Sequence, residues 1–227
     1  MKLLIVAATS FELAPLIAFL EKEATKKSFF EYEYLGNSIF PLVTGVGSMQ
    51  TAFGLSRFNE IKEIDLAINI GICGAYDRTI ALGTVLNITK DRFGDLGVEE
   101  ADKSFTDVYE MELVNGDKFP YADGWIINKL KDKYNPDYLE ANAITVNRVN
   151  GSEGSIKTVE EKYHPQCESM EGAAFFYACK VMDVECIQLR AVSNYVEPRN
   201  RANWQIEKAL DNLNSSLIHY IKDLGVL

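Results

Sequence analysis

Histidine is scarce in this chain of 227 residues, which has only His164 and His219. So few histidines argue against a metal site built from several of them and against a Ser-His-Asp catalytic triad. Cysteine pairs at the spacings of zinc sites are also missing, and a chain of this length does not need disulfides for stability. The four cysteines are Cys73, Cys167, Cys179 and Cys186. We expect no metal, no organic cofactor and a reducing, cytoplasmic environment.

Positive charge is in short supply as well, because 23 lysines and arginines stand against 33 aspartates and glutamates. The formal net charge is −10 at pH 7. Proteins that bind nucleic acids rely on clustered lysines and arginines to contact phosphates and release counterions. The charge balance therefore argues against a nucleic-acid partner.

A hydrophobic run long enough to cross a membrane is the third absence. The N-terminal run Met1–Ala8 contains one positive charge and is followed by the polar residues Thr9 and Ser10. It is too short for a membrane span or for the apolar region of a signal peptide. We therefore expect a buried first strand and no membrane partner.

The hydrophobic residues that are present make up 47% of the chain, enough for a large core. Apolar stretches typical of buried strands alternate with stretches of helical periodicity. Strands are predicted at 64–70 and 84–89, a hairpin at 29–44 with its turn at Gly36-Asn37, and helices after Ser10, at 49–58, at 124–134 and from Trp204 onwards. This alternation predicts one α/β domain over residues 1–227, with a mostly parallel, twisted central sheet flanked by helices on both faces.

The motif from Cys167 to Ala174 is the centre of the functional interpretation. Ser169 is a good helix N-cap, and apolar or small residues after it follow the helical repeat. These residues are Met170, Ala173, Ala174, Tyr177, Ala178 and Val181. The pattern puts Glu171 in the first turn, off the buried face and beside the positive end of the helix dipole. Glu171 then either complements the dipole or serves as an ionised acceptor for a diol.

A second carboxylate, Glu12, also has two interpretations. The sequence Thr9-Ser10-Phe11-Glu12 is that of a capping box, in which the glutamate accepts a hydrogen bond from the backbone at the start of a helix. Glu12 also lies just past the carboxyl end of the predicted first strand, where open α/β sheets bind their ligands. The residues alone leave both interpretations open.

Two segments together resemble the purine nucleoside phosphorylase and nucleosidase superfamily. They are Glu168-Ser169-Met170-Glu171-Gly172-Ala173-Ala174 and Arg190-Ala191-Val192-Ser193-Asn194. The resemblance is to the branch of 5'-methylthioadenosine/S-adenosylhomocysteine nucleosidases and futalosine hydrolases, and it implies that family's three-layer α/β sandwich. It also implies that Met170 and Glu171 hold the ribose, that Asn194 contacts the purine, and that Glu12 activates a water molecule.

The resemblance extends to two loops that would contact the base. The loop Gly71-Ile72-Cys73-Gly74 is similar to the family's Gly-x-x-Gly loop along the nucleoside, which implies base contacts for Cys73 and Gly74. Arg148 and Val149 match the family's base-stacking loop, although the aromatic residue of that pattern is missing near Arg148.

A subunit contact is predicted from the long acidic stretch 91–117. Loops of this length in a compact domain are usually functional or lie at an interface. Its residues Phe105, Tyr109 and Met111 have no evident core partner in the sequence, and in the family a neighbouring subunit closes the pocket. We therefore expect a homodimer or a larger homo-oligomer that buries Phe105 or its neighbours.

The reaction implied by the resemblance is cleavage of an N-glycosidic bond in a nucleoside. Residues 7–12 contain no basic residue that could bind phosphate, and Glu12 would repel it, so water is favoured as the acceptor. Asn194 replaces the aspartate of the methylthioadenosine enzymes, and its amide donors suit N7 and O6 of hypoxanthine.

We predict a hydrolase of a 6-oxopurine nucleoside, most like futalosine hydrolase, which releases hypoxanthine and dehypoxanthinyl futalosine in menaquinone biosynthesis. The alternatives are a 5'-methylthioadenosine/S-adenosylhomocysteine nucleosidase and a non-catalytic nucleoside-binding module.

Overall fold

The first strand, β1 (Lys2–Ala7), shows why the apolar runs of this sequence form a sheet covered on both faces. The computed structural model describes residues 1–58, 61–130 and 134–225. Leu3 and Ile5 pack into one hydrophobic cluster and Leu4 and Val6 into another, and all four are fully buried. A strand that faces a core on each side has no polar alternation, so it has the sequence of a continuous apolar run.

Within the described residues, the main sheet contains ten strands and two further strands pair with each other. The main-sheet strands are β1 (Lys2–Ala7), β2 (Thr25–Lys26), β3 (Tyr32–Tyr34), β4 (Asn37–Val43), β5 (Leu66–Ala75), β6 (Val85–Phe93), β9 (Ile126–Ile127), β10 (Leu139–Thr145), β11 (Cys167–Ser169) and β12 (Cys186–Tyr195). The separate pair is β7 (Gly97–Glu99) with β8 (Phe105–Asp107). The α-helices are α1 (Ser10–Glu23), α2 (Ser48–Arg57), α3 (Glu153–Tyr163), α4 (Gly172–Met182) and α5 (Ile206–Leu224).

Strand pairing places β5 at the centre of the sheet. The strands β4, β1, β5 and β12 are neighbours with parallel pairing. The strand β12 pairs antiparallel with β6, and β6 pairs parallel with β10. Because β11 pairs with both β10 and β5, five of the strands form a closed ring. The predicted α/β fold is confirmed, with a mixed sheet that is parallel at its centre.

Helices cover both faces of the sheet, as predicted. The helices α1 and α5 pack on one face, where the buried residues include Leu16 and Leu213. The helices α2 and α4 pack on the other face, with Leu55 and Phe175 in the core. Of the described helices, none combines the length and the hydropathy needed to cross a membrane.

The helix predicted at 124–134 is wrong over the residues that the structure describes. Ile126 and Ile127 form the short strand β9, which pairs antiparallel with Lys90 and Asp91 of β6. Ile126 is fully buried, Ile127 is exposed, and the Asn128 side chain donates a 2.6 Å hydrogen bond to the Cys186 carbonyl. Pairing with a distant strand overrides the local helical pattern. Residues 131–133 of the predicted helix lie outside the described residues.

The start of α4 also differs from the prediction. The helix begins at Gly172 with Glu171 as its N-cap, two residues later than the predicted cap at Ser169. Glu171 is buried rather than turned away from the core. Tyr177 and Val181 of the predicted apolar stripe are 39% and 54% exposed. The bulkier Phe175 and Phe176 occupy the core instead and set the rotation of the helix.

The predicted hairpin is present as β3 and β4, but its turn is one residue earlier than expected. Leu35 and Gly36 both have positive φ angles, of 47° and 74°, and Tyr34 pairs with Asn37 across the turn. Consecutive positive φ angles are typical of the tight turns that match the twist of a hairpin.

The acidic stretch 91–117 is less irregular than predicted. Asp91 and Arg92 belong to β6 and are buried. Phe105 packs on a cluster at α3, and the ring of Tyr109 lies 5.4 Å from the ring of Tyr121. The expectation that Phe105 and Tyr109 lack partners within their own chain is therefore wrong.

Candidate active site

A cavity of about 450 Å³ opens at the carboxyl ends of β1, β5 and β12. This edge is where open α/β sheets bind ligands. Most of the predicted site residues line the cavity together: Glu12, Cys73, Gly74, Val149, Met170, Glu171 and Asn194. Arg148 is the exception, since it is exposed, does not line the cavity, and its backbone amide bonds Asp95 at 3.3 Å.

Glu12 is both a helix cap and a cavity residue. Its Oε2 atom accepts hydrogen bonds from the backbone amide and the hydroxyl of Thr9, at 3.0 and 2.9 Å, and its own amide donates to the Thr9 hydroxyl at 3.3 Å. This is the complete capping box. The other oxygen, Oε1, lies 3.4 Å from the Ile72 amide on the cavity wall. The two sequence interpretations are therefore compatible, because each uses a different carboxylate oxygen.

The environment of Glu12 favours a proton acceptor. Burial raises the pKa of Glu12 above its usual value, and the guanidinium of Arg190 offsets part of this shift. A carboxylate whose pKa is moved towards the working pH is better matched to proton transfer.

Glu171 is held in place by the glycine-containing loop before α2. Its Oε1 atom accepts a 3.0 Å hydrogen bond from the backbone amide of Gly47. Gly47 has a φ of 93°, which a residue with a side chain rarely adopts, and it is the N-cap of α2. The backbone of the loop before α2 therefore positions the carboxylate that is predicted to hold ribose.

Arg190 is a site residue that the sequence interpretation did not assign. It is 1% exposed, and its Nη2 atom lies 4.0 Å from Oε2 of Glu171. A methyl group on Gly71 would overlap Arg190 Nη1 and would lie 3.0 Å from Glu12 Oε1. One guanidinium therefore lies next to both carboxylates. A charged residue in the middle of a predicted buried strand was the signal that could have found it.

Arg190 is held by a buried polar network beneath the cavity. Its Nε atom donates to Gln188 at 2.9 Å, and its Nη2 atom donates to Asn69. The Gln188 amide donates in turn to Asp91 at 3.1 Å, and the Thr145 hydroxyl donates to Asp91 at 3.0 Å. Burial raises the pKa of Asp91 to about 7. This network of buried hydrogen bonds gives the guanidinium one defined position.

Gly172 lets the start of α4 approach this network. A methyl group at this position would overlap the side-chain oxygens of Gln188 and Asp91. The amide of Ala173 donates to the Thr145 hydroxyl at 2.7 Å. The position of Glu171, directly before Gly172, therefore depends on close contact between helix and network.

The other end of the cavity contains Asn194. Its Nδ2 atom donates to the Tyr195 carbonyl at 3.0 Å, and its Oδ1 atom lies 2.8 Å from the Ser193 hydroxyl. One amide hydrogen of Asn194 is thus used within the protein and one is free to meet a ligand. Cys73 and Gly74 lie beside it on β5, where Asn194 pairs with Gly74.

The arrangement can stabilise a cationic sugar and position a water molecule. Two carboxylates flank the middle of the cavity and an amide donor lies at one end. Among residues 1–58, 61–130 and 134–225, no group of three or more His, Cys, Asp or Glu side chains is arranged to hold a metal ion.

The chain is similar to characterised hydrolases over most of its length. It is 26% identical over 192 residues to futalosine hydrolase of Thermus thermophilus, covering 84% of each chain. It is 28% identical over 183 residues to futalosine hydrolase of Streptomyces coelicolor, covering 78% of this chain and 75% of the relative. The expectation of an enzyme of the nucleosidase type is confirmed by these relatives.

The fold matches solved structures of nucleosidases. A 5'-methylthioadenosine/S-adenosylhomocysteine nucleosidase from Colwellia psychrerythraea, crystallised in complex with adenine, superposes with a TM-score of 0.79 at 16% identity. The match covers 99% of this chain and 96% of that one. A sequence model described as the phosphorylase superfamily matches residues 2–222, and the chain therefore belongs to the phosphorylase superfamily.

Proposed function

We propose that the protein is a futalosine hydrolase, which cleaves the N-glycosidic bond of futalosine and releases hypoxanthine and dehypoxanthinyl futalosine. The observation that carries the proposal is the meeting of Glu12 and Glu171 around Arg190 in one cavity that has Asn194 at its end. Similarity to two futalosine hydrolases over about four fifths of the chain supports the choice of substrate. The reaction would belong to menaquinone biosynthesis in the cytoplasm.

Each group has a role in the proposed reaction. The bond between C1' and N9 breaks with its electron pair leaving on the purine, and positive charge develops on the ribose. Glu171 accepts hydrogen bonds from the ribose hydroxyls and places its charge near that cation, and Met170 packs against the sugar. A water molecule attacks C1' and gives its proton to Glu12. The departing base accepts a hydrogen bond from Asn194 and takes a proton from solvent.

Water is the proposed acceptor rather than phosphate. Among the described residues that line the cavity, four carboxylates, those of Glu12, Glu168, Glu171 and Glu197, stand against the one guanidinium of Arg199. The proposed reaction takes place beside two of these carboxylates, Glu12 and Glu171. The charge of Arg190 is directed at these two groups and lies behind Gly71. A phosphate dianion in the same place would face two negative charges at short range.

A 5'-methylthioadenosine/S-adenosylhomocysteine nucleosidase is the second candidate. Its support is the likeness of fold to the Colwellia psychrerythraea enzyme. Against it stands Asn194, whose amide cannot carry the titratable proton that an aspartate offers to an adenine leaving group.

Release of free base from matched nucleosides tests the proposal. The protein is incubated with futalosine, with inosine and with 5'-methylthioadenosine, and the bases are separated by chromatography. We expect hypoxanthine release from futalosine to be the fastest reaction. A preference for 5'-methylthioadenosine over both 6-oxopurine nucleosides would favour the second candidate. Binding without release of any base would favour a non-catalytic nucleoside-binding module.

We also propose that the protein is a homodimer, but through residues other than Phe105. Large apolar side chains on the adjacent helices α2 and α4 are exposed: Met49 is 77% exposed, Phe53 61%, Tyr177 39% and Val181 54%. Val46, two residues before α2, is 46% exposed and lines the cavity, so this surface continues to the mouth of the cavity. A second copy on this surface would cover the apolar residues and border the site. Sedimentation of a fully active monomer would contradict this proposal.

A further inference from the structure

Glu168 is a buried carboxylate of the cavity to which the proposed reaction gives no role. It lies on β11, which pairs antiparallel with β5 so that Glu168 is opposite Gly74. On the other side of β5, Asn194 of β12 pairs with the same Gly74. The three residues therefore form a row across the sheet at the end of the cavity, and all three line it.

The absence of a side chain at Gly74 opens the space between Glu168 and Asn194. A Cβ atom at that position would lie 3.0 Å from Cγ2 of Val196, 3.2 Å from Nδ2 of Asn194 and 3.8 Å from Cγ of Glu168. A flat ring placed over Gly74 can therefore reach both side chains at once. A base that touches Asn194 along one edge would present its next edge atoms to Glu168.

The hydrogen bonds of Glu168 leave one acceptor position unused. Its Oε2 atom accepts from the Tyr76 hydroxyl at 2.6 Å and from the Asn150 side chain at 2.9 Å. Its Oε1 atom accepts only from the Asn150 backbone amide, at 3.2 Å. A carboxylate offers about four lone-pair positions, two on each oxygen. Oε1 can therefore accept one more hydrogen bond.

Glu168 is buried without a cation. It is 4% exposed, and within the part of the chain that the structure describes no lysine or arginine forms an ion pair with it. Burial raises the pKa of Glu168, while the bonds from Tyr76 and Asn150 lower it. Burying a carboxylate without a counter-charge costs stability unless donors compensate for the lost water. Such a group in a ligand cavity is a candidate for a functional role.

We propose that Glu168 is a specificity-determining residue that accepts the N1–H of a 6-oxopurine base while Asn194 donates to O6 or N7. This inference rests on the proposed function. A 6-oxopurine carries a hydrogen on N1, whereas N1 of a 6-aminopurine is an acceptor. A carboxylate facing that acceptor is left without a hydrogen bond and repels it, so the same pair of side chains that binds hypoxanthine rejects adenine.

The neighbouring amide strengthens the discrimination. The Asn150 backbone N–H, which could have donated to N1 of an adenine, already donates to Glu168. The described polar groups on this side of the cavity thus offer an acceptor to the N1 position of a base.

Glu168→Gln tests this inference with two substrates that share everything except the base, futalosine and its 6-amino counterpart. Wild-type protein should favour futalosine in kcat/KM, and the variant should lower this ratio by at least about tenfold, because the charged acceptor is lost. A purely structural role in holding Asn150 would lower kcat/KM for both substrates together and leave the ratio unchanged. An unchanged ratio would therefore overturn the inference. Absence of wild-type turnover, or a wild-type preference for the 6-amino substrate, would instead refute the proposed function.

Binding of free bases to wild-type protein keeps the inference testable if the variant does not fold. Hypoxanthine and 1-methylhypoxanthine share O6, N7 and N9 but differ in the hydrogen on N1. Calorimetry should give at least about tenfold weaker binding for the methylated base. Equal affinities would show that N1 does not face Glu168, and the inference would be wrong.

Discussion

Replacing Glu12 by glutamine separates the two roles that the structure combines in this side chain. The capping role uses Oε2, which accepts from the Thr9 amide and hydroxyl at 3.0 and 2.9 Å. A glutamine oxygen can accept the same bonds, since capping boxes contain Gln as well as Glu at this position. The amide nitrogen then occupies the place of Oε1 on the cavity side, where it cannot take a proton from water.

The expected effects on stability and on turnover differ widely in size. Two hydrogen bonds to a charged acceptor become bonds to a neutral one, and the weak 3.4 Å bond from the Ile72 amide is lost. Together these changes cost roughly 1 kcal/mol, and removing a partly buried charge offsets some of that loss. The free energy of unfolding should therefore change by no more than about 1 kcal/mol. Loss of the proton acceptor should lower kcat by about 10²- to 10⁴-fold.

Thr9→Ala is the matched control because it damages the cap and keeps the carboxylate. It removes the hydroxyl that accepts from the Glu12 amide at 3.3 Å. Losing an N-cap side chain costs about 1 kcal/mol of stability. Turnover should fall by less than about tenfold, since Glu12 still has the Thr9 amide as a partner. The two variants should thus lose similar amounts of stability but differ widely in turnover.

Urea unfolding and steady-state release of hypoxanthine from futalosine measure the two quantities on the same preparations. Near-native kcat in Glu12→Gln would mean that the carboxylate is only a cap. A greater loss of kcat in Thr9→Ala than in Glu12→Gln would also refute the assignment of Glu12 as the proton acceptor.

Four further predictions follow from the same contacts. The pKa of Asp91 is raised from 3.8 to about 7 in the folded protein, so the folded state binds more protons than the unfolded state between these pH values. The free energy of unfolding should therefore fall as pH rises from 4 to 7. Asp91→Asn should flatten this pH dependence in urea titrations, and an unaltered slope would contradict the raised pKa. Gly172→Ala should lower the free energy of unfolding by about 1–3 kcal/mol and raise KM, because the methyl group overlaps Asp91 and displaces the adjacent Glu171. An unchanged free energy of unfolding together with an unchanged KM would be inconsistent with this close contact. Asn194→Asp should reduce release of hypoxanthine by at least about tenfold and raise the relative rate for adenine nucleosides, and chromatography that finds the wild-type preference intact would exclude a base contact. Treatment with EDTA should leave turnover unchanged, whereas a complete loss restored by one metal would require a metal-dependent reaction.

Much of the fold could be predicted because it depends on short-range periodicity. The run in β1 is apolar because both faces of that strand are covered, and the stripe of α5 has the spacing of a helix with one buried face. The capping box of Thr9 and Glu12 involves residues three apart, so its hydrogen bonds were visible in the sequence. The helix at 124–134 could not be recognised as wrong, because β9 exists only through its pairing with β6.

The candidate site could likewise be predicted only in part. The motif residues Glu171 and Asn194 could be selected by resemblance, and the structure brings both to one cavity. Arg190 and Glu168 are part of the segments that carry the resemblance. Their sequence neighbours do not indicate that Arg190 lies beside two carboxylates or that Glu168 lies opposite Gly74.

The sequence by itself determined the buried run of β1, the capping box at the start of α1 and the apolar stripe of α5, since these depend on neighbours within a few positions. Only the tertiary structure decided that Glu168, Gly74 and Asn194 stand in one row, and that a single guanidinium serves both Glu12 and Glu171. Strand order and register set these encounters. They are fixed by pairing between residues far apart in the chain, 94 positions for Glu168 and Gly74 and 120 positions for Asn194 and Gly74. No local pattern encodes the distance between side chains on separate strands.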